Sequence, residues 1–180
     1  WTRLREAKLA NADLRRARLH GADVSGADLS KANLAEADLT DIILTEANLQ
    51  GATIKRADLT GSKLTGARLE GAGLNRADLS RADLSQTNLS QTFLRQARLT
   101  EANLQDANLA GVDLYGAELA WANLSRADLS SAKLERANLE GSKLIEVRLV
   151  EANLHMANLN AADLSQANLT GANVTPEQIE

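Results

Sequence analysis

The chain between residues 122 and 139 reads ANLSRADLSSAKLERANL, and the pattern in this stretch returns every five residues. An aliphatic residue occupies all 36 positions whose number ends in 4 or 9: 32 are Leu, two are Val and two are Ile. Ala stands two residues earlier in 27 of the 36 repeats, and the residue between is Asp in ten and Asn in eleven. The chain is therefore a regular array of short units.

A five-residue period fits neither a helix nor a continuous strand. A helix would spread the Leu residues around its circumference, and a strand would place successive Leu residues on opposite faces. The chain must therefore turn once per repeat. We name the five positions in order: the Ala position (numbers ending in 2 or 7), the outward position (3 or 8), the Leu position (4 or 9), the first corner (5 or 0) and the second corner (6 or 1).

The repeat predicts a short extended segment followed by a turn. Ala and Leu lie two residues apart and point inward together, while the Asp or Asn between them points outward. Ten of the eleven glycines stand at the second corner, which predicts a positive φ there, and Asn11 and Asp41 share that position. The outward Asp or Asn is expected to accept a hydrogen bond from a nearby backbone N–H group.

Units such as ADLSK at 27–31 and ANLTG at 167–171 resemble those of the pentapeptide repeat family. The resemblance covers essentially the whole chain without an insertion or deletion. It implies an all-β fold, a right-handed quadrilateral β-helix of about nine coils, with four repeats and twenty residues in each coil. We predict one solenoid domain over residues 1–174.

Residues 175–180 are predicted to start a truncated C-terminal capping helix. Thr175 can serve as N-cap, Pro176 suits the first turn, and Gln178 can complete a capping box. A frayed end of the last coil is the alternative. Since the chain begins with Trp1 in register with the repeat rather than with Met, it is expected to be a fragment of a longer protein or a processed one.

No pattern of catalytic, cofactor or metal-binding residues emerges, so the protein is not expected to be an enzyme. The two histidines, His20 and His155, lie in distant coils, and neither is predicted to join a Ser and Asp pair. No small-molecule substrate is indicated. The sequence contains neither cysteine, nor an apolar run long enough to span a membrane, nor a signal peptide, which favours a cytoplasmic location.

In coils of twenty residues, Asp38, Asp58 and Asp78 form an acidic ladder with an arginine at each end. Like charges in direct opposition are unfavourable, and Arg56 and Arg76 are predicted to neutralise two of these carboxylates. The ladder is either a cation-binding site or a salt-bridged face, and the nearby arginines favour the second interpretation.

The charge balance argues against nucleic acid as a partner. The formal net charge is −4, from 20 basic and 24 acidic residues, and only 2% of the residues are aromatic. A nucleic-acid surface would call for a dominant basic patch or for aromatic side chains on which bases stack.

Two functions are compatible with these features. The first is a rigid, non-enzymatic scaffold or protein–protein interaction module, part of a larger protein, which binds a protein partner or self-associates. The second, implied by the resemblance, is a DNA-mimicking binder of a type II topoisomerase (gyrase), of the fluoroquinolone-resistance type. Relatives of that type have strongly acidic surfaces, Phe at the core position and projecting loops, and this chain has none of these.

Four residues are candidates for partner contact: Trp121, Ile145, Val150 and Met156. Ile145 and Val150 occupy successive first corners, where small or polar residues are the rule, and are predicted to form an apolar patch facing water. Either a second chain or a C-terminal segment would cover this patch, or the two residues are neutral substitutions at corners that tolerate them. Phe93 and Tyr115 are also large and displaced outward, but scattered exposed apolar groups are common on protein surfaces.

Overall fold

The computed structural model describes residues 3–178, and in this part of the chain the backbone makes a parallel bridge at every outward position. Each bridge joins two residues that are twenty apart, from Arg3 and Asp23 to Asn153 and Asn173. The chain therefore returns to the same edge after four repeats, and these four repeats make one coil.

The bridges form four ladders that run along the length of the solenoid. Ladder A extends from Arg3 to Asp163, ladder B from Lys8 to Asn168, ladder C from Asp13 to Asn173 and ladder D from Arg18 to Asn158. Within residues 3–178 every bridge is isolated, because the chain turns after three extended residues and no longer strand can form. The only helix in the same range is the 3₁₀ helix Pro176–Gln178.

Each corner is a β-turn that follows the Leu position. The N–H group of the next Ala position donates to the carbonyl of the Leu position, with N···O distances of 2.8–3.2 Å. Every second-corner residue from Glu6 to Gly171 has a positive φ, between 53° and 69°, as predicted. A positive φ at the third residue alone is the mark of a type II turn.

Hydrogen bonds between coils hold this backbone in place. From Leu4 to Leu154, the N–H of each Leu position donates to the carbonyl of the outward position in the following coil, at 2.6–2.9 Å. The N–H of each outward position, from Asp28 onward, donates back to the carbonyl of an Ala position in the preceding coil. Most second corners carry a residue other than Gly, and the turn and ladder bonds on both sides hold these residues in the left-handed conformation.

The Ala and Leu positions form the core. From Ala22 to Leu159 these inward positions are buried, and their apolar members form one continuous cluster. Ile42 is buried at an Ala position, with the small Ser62 at the same position one coil later. Thr87 and Thr92 are buried as well, and each hydroxyl donates to a backbone carbonyl three residues earlier.

At the C-terminal end, Gln178 binds the edge of the last complete coil. Its side-chain oxygen accepts the N–H of Thr175 at 2.9 Å, which is the reciprocal bond of the predicted capping box. Its side-chain nitrogen donates to the carbonyls of Leu154 and Ala157 at 2.9 and 2.8 Å. The predicted capping helix extends to residue 180, and its last two residues lie outside the described range.

Truncation at the centre of the core should be far more damaging than truncation at a corner. Leu84 is fully buried, so Leu84→Ala is expected to lower the free energy of unfolding by about 2 to 5 kcal/mol. Gln86→Ala, at the exposed second corner of the same repeat, should change it by less than about 0.5 kcal/mol. Urea denaturation followed by circular dichroism measures both, and equal losses would contradict the assignment of inward and outward positions.

Gly71 and Gly73 allow the positive φ to be tested without steric interference. A methyl group at Gly71 would meet no atom within 4 Å beyond its chain neighbours, but φ is +68° there. Gly71→Ala is therefore expected to destabilise by about 1 to 2 kcal/mol. Gly73 has no positive φ and equally open surroundings, so Gly73→Ala should be neutral or stabilise by up to about 1 kcal/mol. The same denaturation experiment compares the two, and a loss of similar size at both would contradict a conformational cause.

Candidate partner-binding surfaces

Trp121 stands at a second corner between ladders D and A. Its φ is 62°, its N–H donates to the carbonyl of Glu140 at 2.8 Å, and 60% of the residue is exposed. The indole ring covers Gly141, the residue one coil later, so closely that a side chain at Gly141 would collide with it. The ring therefore lies against the same corner of the next coil, while most of the residue remains exposed.

Met156 stands at a second corner between ladders C and D. It is 60% exposed, and its φ is 59°. Because a methionine side chain is flexible and apolar, it can adapt to the shape of a partner. It is well placed for contact but presents no fixed geometry of its own.

Ile145 and Val150 are less exposed than Trp121 and Met156. Both are only half-exposed, as are most first-corner residues in the middle of the solenoid. Residues at the same corner one coil before and after lie about 4.8 Å away and shield much of a first-corner side chain. The carbonyls of Ile145 and Val150 accept N–H groups of the preceding coil at 2.9 and 2.8 Å, so the backbone is regular here.

The four candidates do not form one patch. Trp121 lies between ladders D and A, Ile145 between A and B, Val150 between B and C, and Met156 between C and D. They therefore occupy the four different corners of the coil. Even the neighbours in sequence, Ile145 and Val150, are separated by the segment that carries Arg148 outward on ladder B.

A cluster that sequence reasoning set aside lies on ladder C. Phe93 is on this ladder and is 50% exposed, and its neighbours along the ladder are Gly73 and Asp113. At the adjoining corner the Arg95 guanidinium lies 4.5 Å from the centre of the Tyr115 ring and donates to Asp113 at 3.1 Å. The twenty-residue separation of Arg95 and Tyr115 is the sequence signal that could have revealed this pair.

The acidic ladder is arranged as predicted but neutralised differently. Asp38, Asp58 and Asp78 are successive members of ladder D. The cation that pairs with Asp78 is Arg98, the next member of the same ladder, at 3.3 Å. The predicted pairing with Arg56 and Arg76 is wrong, because within residues 3–178 neither arginine forms an ion pair with these carboxylates and Arg98 pairs with Asp78 instead.

His20 takes part in a contact that was not predicted. Its Nδ1 lies 2.6 Å from the hydroxyl of Thr40, and that hydroxyl donates to Asp38 at 2.7 Å. Since the hydroxyl proton points to the carboxylate, the imidazole nitrogen is the donor and cannot act as a base toward this oxygen. The hydrogen bonds from Thr40 are the main reason that the pKa of Asp38 is lowered.

Other outward carboxylates are stabilised in the same way. The residue two positions after an outward Asp or Asn donates its backbone N–H to the side-chain oxygen, as Ser30 does to Asp28 at 3.0 Å and Ser80 to Asp78 at 3.0 Å. The predicted role of outward Asp and Asn residues is confirmed. Within residues 3–178, no three His, Cys, Asp or Glu side chains come together in a way that could hold a metal ion.

The comparisons with known proteins agree with this architecture. The family model for pentapeptide repeats matches residues 1–34, 32–71, 77–116, 122–160 and 148–175. The protein belongs to the pentapeptide repeat family, whose members fold as right-handed β-helices and are in general non-catalytic structural or interaction modules.

Solved structures of several pentapeptide repeat proteins are similar to this chain. HetL from the cyanobacterium Nostoc, a protein involved in the regulation of heterocyst differentiation, is 38% identical; the match covers 95% of this chain and 82% of HetL, with a TM-score of 0.47. A thylakoid-lumen protein of Arabidopsis thaliana is 27% identical over 56% of this chain and 67% of its own, with a TM-score of 0.41. A trypsin-treated variant of QnrB1, a plasmid-mediated fluoroquinolone resistance protein, is 20% identical over 94% and 82%, with a TM-score of 0.40. No curated protein matches the chain.

Among the described residues, no helix has the length and apolar character needed to cross a membrane.

The lowered pKa of Asp83 predicts how the stability of the protein depends on pH. Burial opposes its ionisation, but hydrogen bonds from Ser85, Thr65 and Asn103 outweigh that effect and lower its pKa. A carboxyl group whose pKa is lower in the folded state stabilises the protein above its unfolded pKa of about 4, and this stability disappears as the pH falls through the folded value. The thermal midpoint of the native chain should therefore exceed that of Asp83→Asn at pH 7, and this difference should shrink below about pH 4.

Circular dichroism melting curves between pH 7 and pH 2 measure this difference. Asp41→Asn serves as the control, since it removes a corner carboxylate that accepts no hydrogen bond in residues 3–178. A difference between the native chain and Asp83→Asn that stays constant down to pH 2 would refute the role assigned to the hydrogen bonds.

Proposed function

We propose that this protein is a rigid, non-enzymatic scaffold that binds a protein partner, and that Trp121, Ile145, Val150 and Met156 contribute to partner contact. The observation that supports this most directly is the exposure of Trp121 on a backbone fixed by the ladders. Tryptophan is enriched among the residues that dominate binding energy, and a side chain held in place before binding loses little entropy when it binds.

The positions of the four residues define how such a scaffold would be used. Because they lie at four corners, a single flat partner would contact only one or two of them. Trp121 and Met156 are the most exposed and are expected to contribute most. Ile145 and Val150 are half-exposed and would contribute smaller contacts at the edges of ladder B. A regulatory role, such as that of HetL, is compatible with a protein that acts by binding.

A DNA-mimicking inhibitor of gyrase is the alternative function. Its support is weak, because QnrB1 is only 20% identical to this chain, and a likeness at that level carries no argument about function. DNA mimicry also requires continuous negative charge, whereas Arg98 interrupts ladder D and pairs with Asp78, and Arg126 pairs with Asp106 at 2.8 Å. A supercoiling assay with purified gyrase separates the two functions, and the scaffold predicts no inhibition.

Site-specific photocrosslinking in the source organism tests the scaffold. We expect p-benzoylphenylalanine in place of Trp121 or Met156 to yield one recurring crosslinked protein, and Ile145 and Val150 to yield less of it. The control is the same substitution at Gln166, an exposed second corner with a φ of 59° that resembles Met156 in backbone geometry. The proposal fails if none of the four positions gives a discrete adduct, or if Gln166 gives the same one.

A further inference from the structure

A surface around Phe93 has the features of a binding site for a specific kind of partner. We call it the Phe93 surface and define it by Gly73, Phe93, Arg95 and Tyr115, together with the basic residues of the same corner in the two preceding coils, Lys55, Arg56 and Arg76. It lies in the middle of the solenoid, on ladder C and the corner that leads to ladder D. None of the four residues proposed above belongs to it.

The centre of the surface is apolar and contains a notch. Gly73 is the only glycine at an outward position, and it precedes Phe93 on ladder C. A methyl group placed there would meet nothing closer than the carbonyl of Ala52, at 4.0 Å, so the Phe93 ring does not fill this space. The exposed ring of Phe93 therefore lies next to a position on ladder C that carries no side chain, which we call the recess at Gly73.

The side of the surface next to Phe93 is held rigid. Arg95 is fixed by stacking on Tyr115 and by its ion pair with Asp113, whose side chain is only 13% exposed. The backbone N–H of Arg95 also donates to the side chain of Asn75 at 3.0 Å. Aromatic residues and arginine are the types enriched at the centres of protein interfaces, and here they are already ordered.

The part of the surface that lies in the two preceding coils is positively charged. Lys55, Arg56 and Arg76 are all exposed, and in the described part of the chain no carboxylate lies within 4 Å of any of them. Arg76 donates to Gln96 at 2.9 Å, which orders the guanidinium without neutralising it. Glu36, at the same corner one coil earlier, pairs with Arg16 at 2.9 Å, and the charges of Arg56 and Lys55 contribute to the lowered pKa of Glu36 without an ion pair.

We propose that the Phe93 surface binds an acidic, extended segment of a partner protein that carries one large apolar side chain. The apolar side chain would pack against Phe93 in the recess at Gly73, and carboxylates on the same segment would pair with Lys55, Arg56 and Arg76. Charge complementarity identifies the segment as acidic, and a single position without a side chain beside Phe93 suits one anchoring side chain. The proposal rests on the scaffold function and names the chemistry of a partner.

A labelled peptide tests this chemistry directly. The probe is a fluorescein-labelled peptide of sequence Gly-Glu-Asp-Glu-Phe-Asp-Glu-Gly, with binding measured by fluorescence anisotropy at low salt. We expect saturable binding, a Kd raised about tenfold by Phe93→Ser, by Arg76→Glu and by Gly73→Thr, and loss of binding when the Phe of the peptide is replaced by Ser. Gly73→Thr fills the recess without changing charge, so its effect isolates the apolar contact.

Arg81→Glu is the matched control. Arg81 is an exposed second-corner arginine in the next repeat with a φ of 59°, against 61° for Arg76, and it lies at a different corner. Its reversal should leave the Kd unchanged. The variants alter exposed groups, except at Gly73, which is half-buried, and unchanged circular dichroism melting curves show that each is folded.

Three results would overturn the proposal. They are the absence of saturable binding up to millimolar peptide, equal weakening by Arg81→Glu and Arg76→Glu, and tighter binding of a mixed-sequence single-stranded DNA oligomer through the same residues. If the peptide fails to bind while photocrosslinks at Trp121 or Met156 persist, this inference alone is wrong. If both experiments fail, the scaffold function is wrong as well.

Discussion

The hydrogen bond that closes each corner determines the rest of this structure. It joins the carbonyl of every Leu position to the N–H group three residues later, and it requires a positive φ at the second corner. With one such turn every five residues, an extended segment has room for only three residues, so each repeat can contribute a single bridge to a ladder. The core follows from the same constraint, because the Ala and Leu of each segment are the two residues that point inward.

The stacking of coils then decides which surface groups meet. Residues twenty apart lie about one strand spacing from each other, so many side chains pair along a ladder or along a corner, while others join a corner to a ladder, as Arg95 does with Asp113. Arg16 meets Glu36, Arg126 meets Asp106, and outward Asn side chains donate to the residue one coil before, as Asn103 does to Asp83 at 3.0 Å. Surface ion pairs of this type add little stability individually, and their main effect is to set the charge pattern of each side of the solenoid.

A surface built in this way suits binding better than catalysis. Catalysis needs groups from different elements to converge on one enclosed point, whereas neighbouring ladders and corners of a solenoid point their outward side chains in diverging directions. Binding needs side chains held in fixed positions over an extended area, and the ladders supply this. Trp121 lying against Gly141, and Arg95 held between Tyr115 and Asp113, are two examples of surface groups ordered before any partner arrives.

The repeat, the inward and outward positions and the positive φ at the second corner could all be predicted from the sequence, because each depends on contacts within five residues. The sequence also predicted the bond between Thr175 and Gln178, which is local. The folded structure was needed to show that Arg98 rather than Arg76 pairs with Asp78, that His20 contacts Thr40, and that Ile145 and Val150 are half-buried at separate corners. These contacts depend on how far side chains reach between coils. The five-residue pattern specifies neither the number of repeats in a coil, which the family resemblance supplied, nor the directions of side chains between coils.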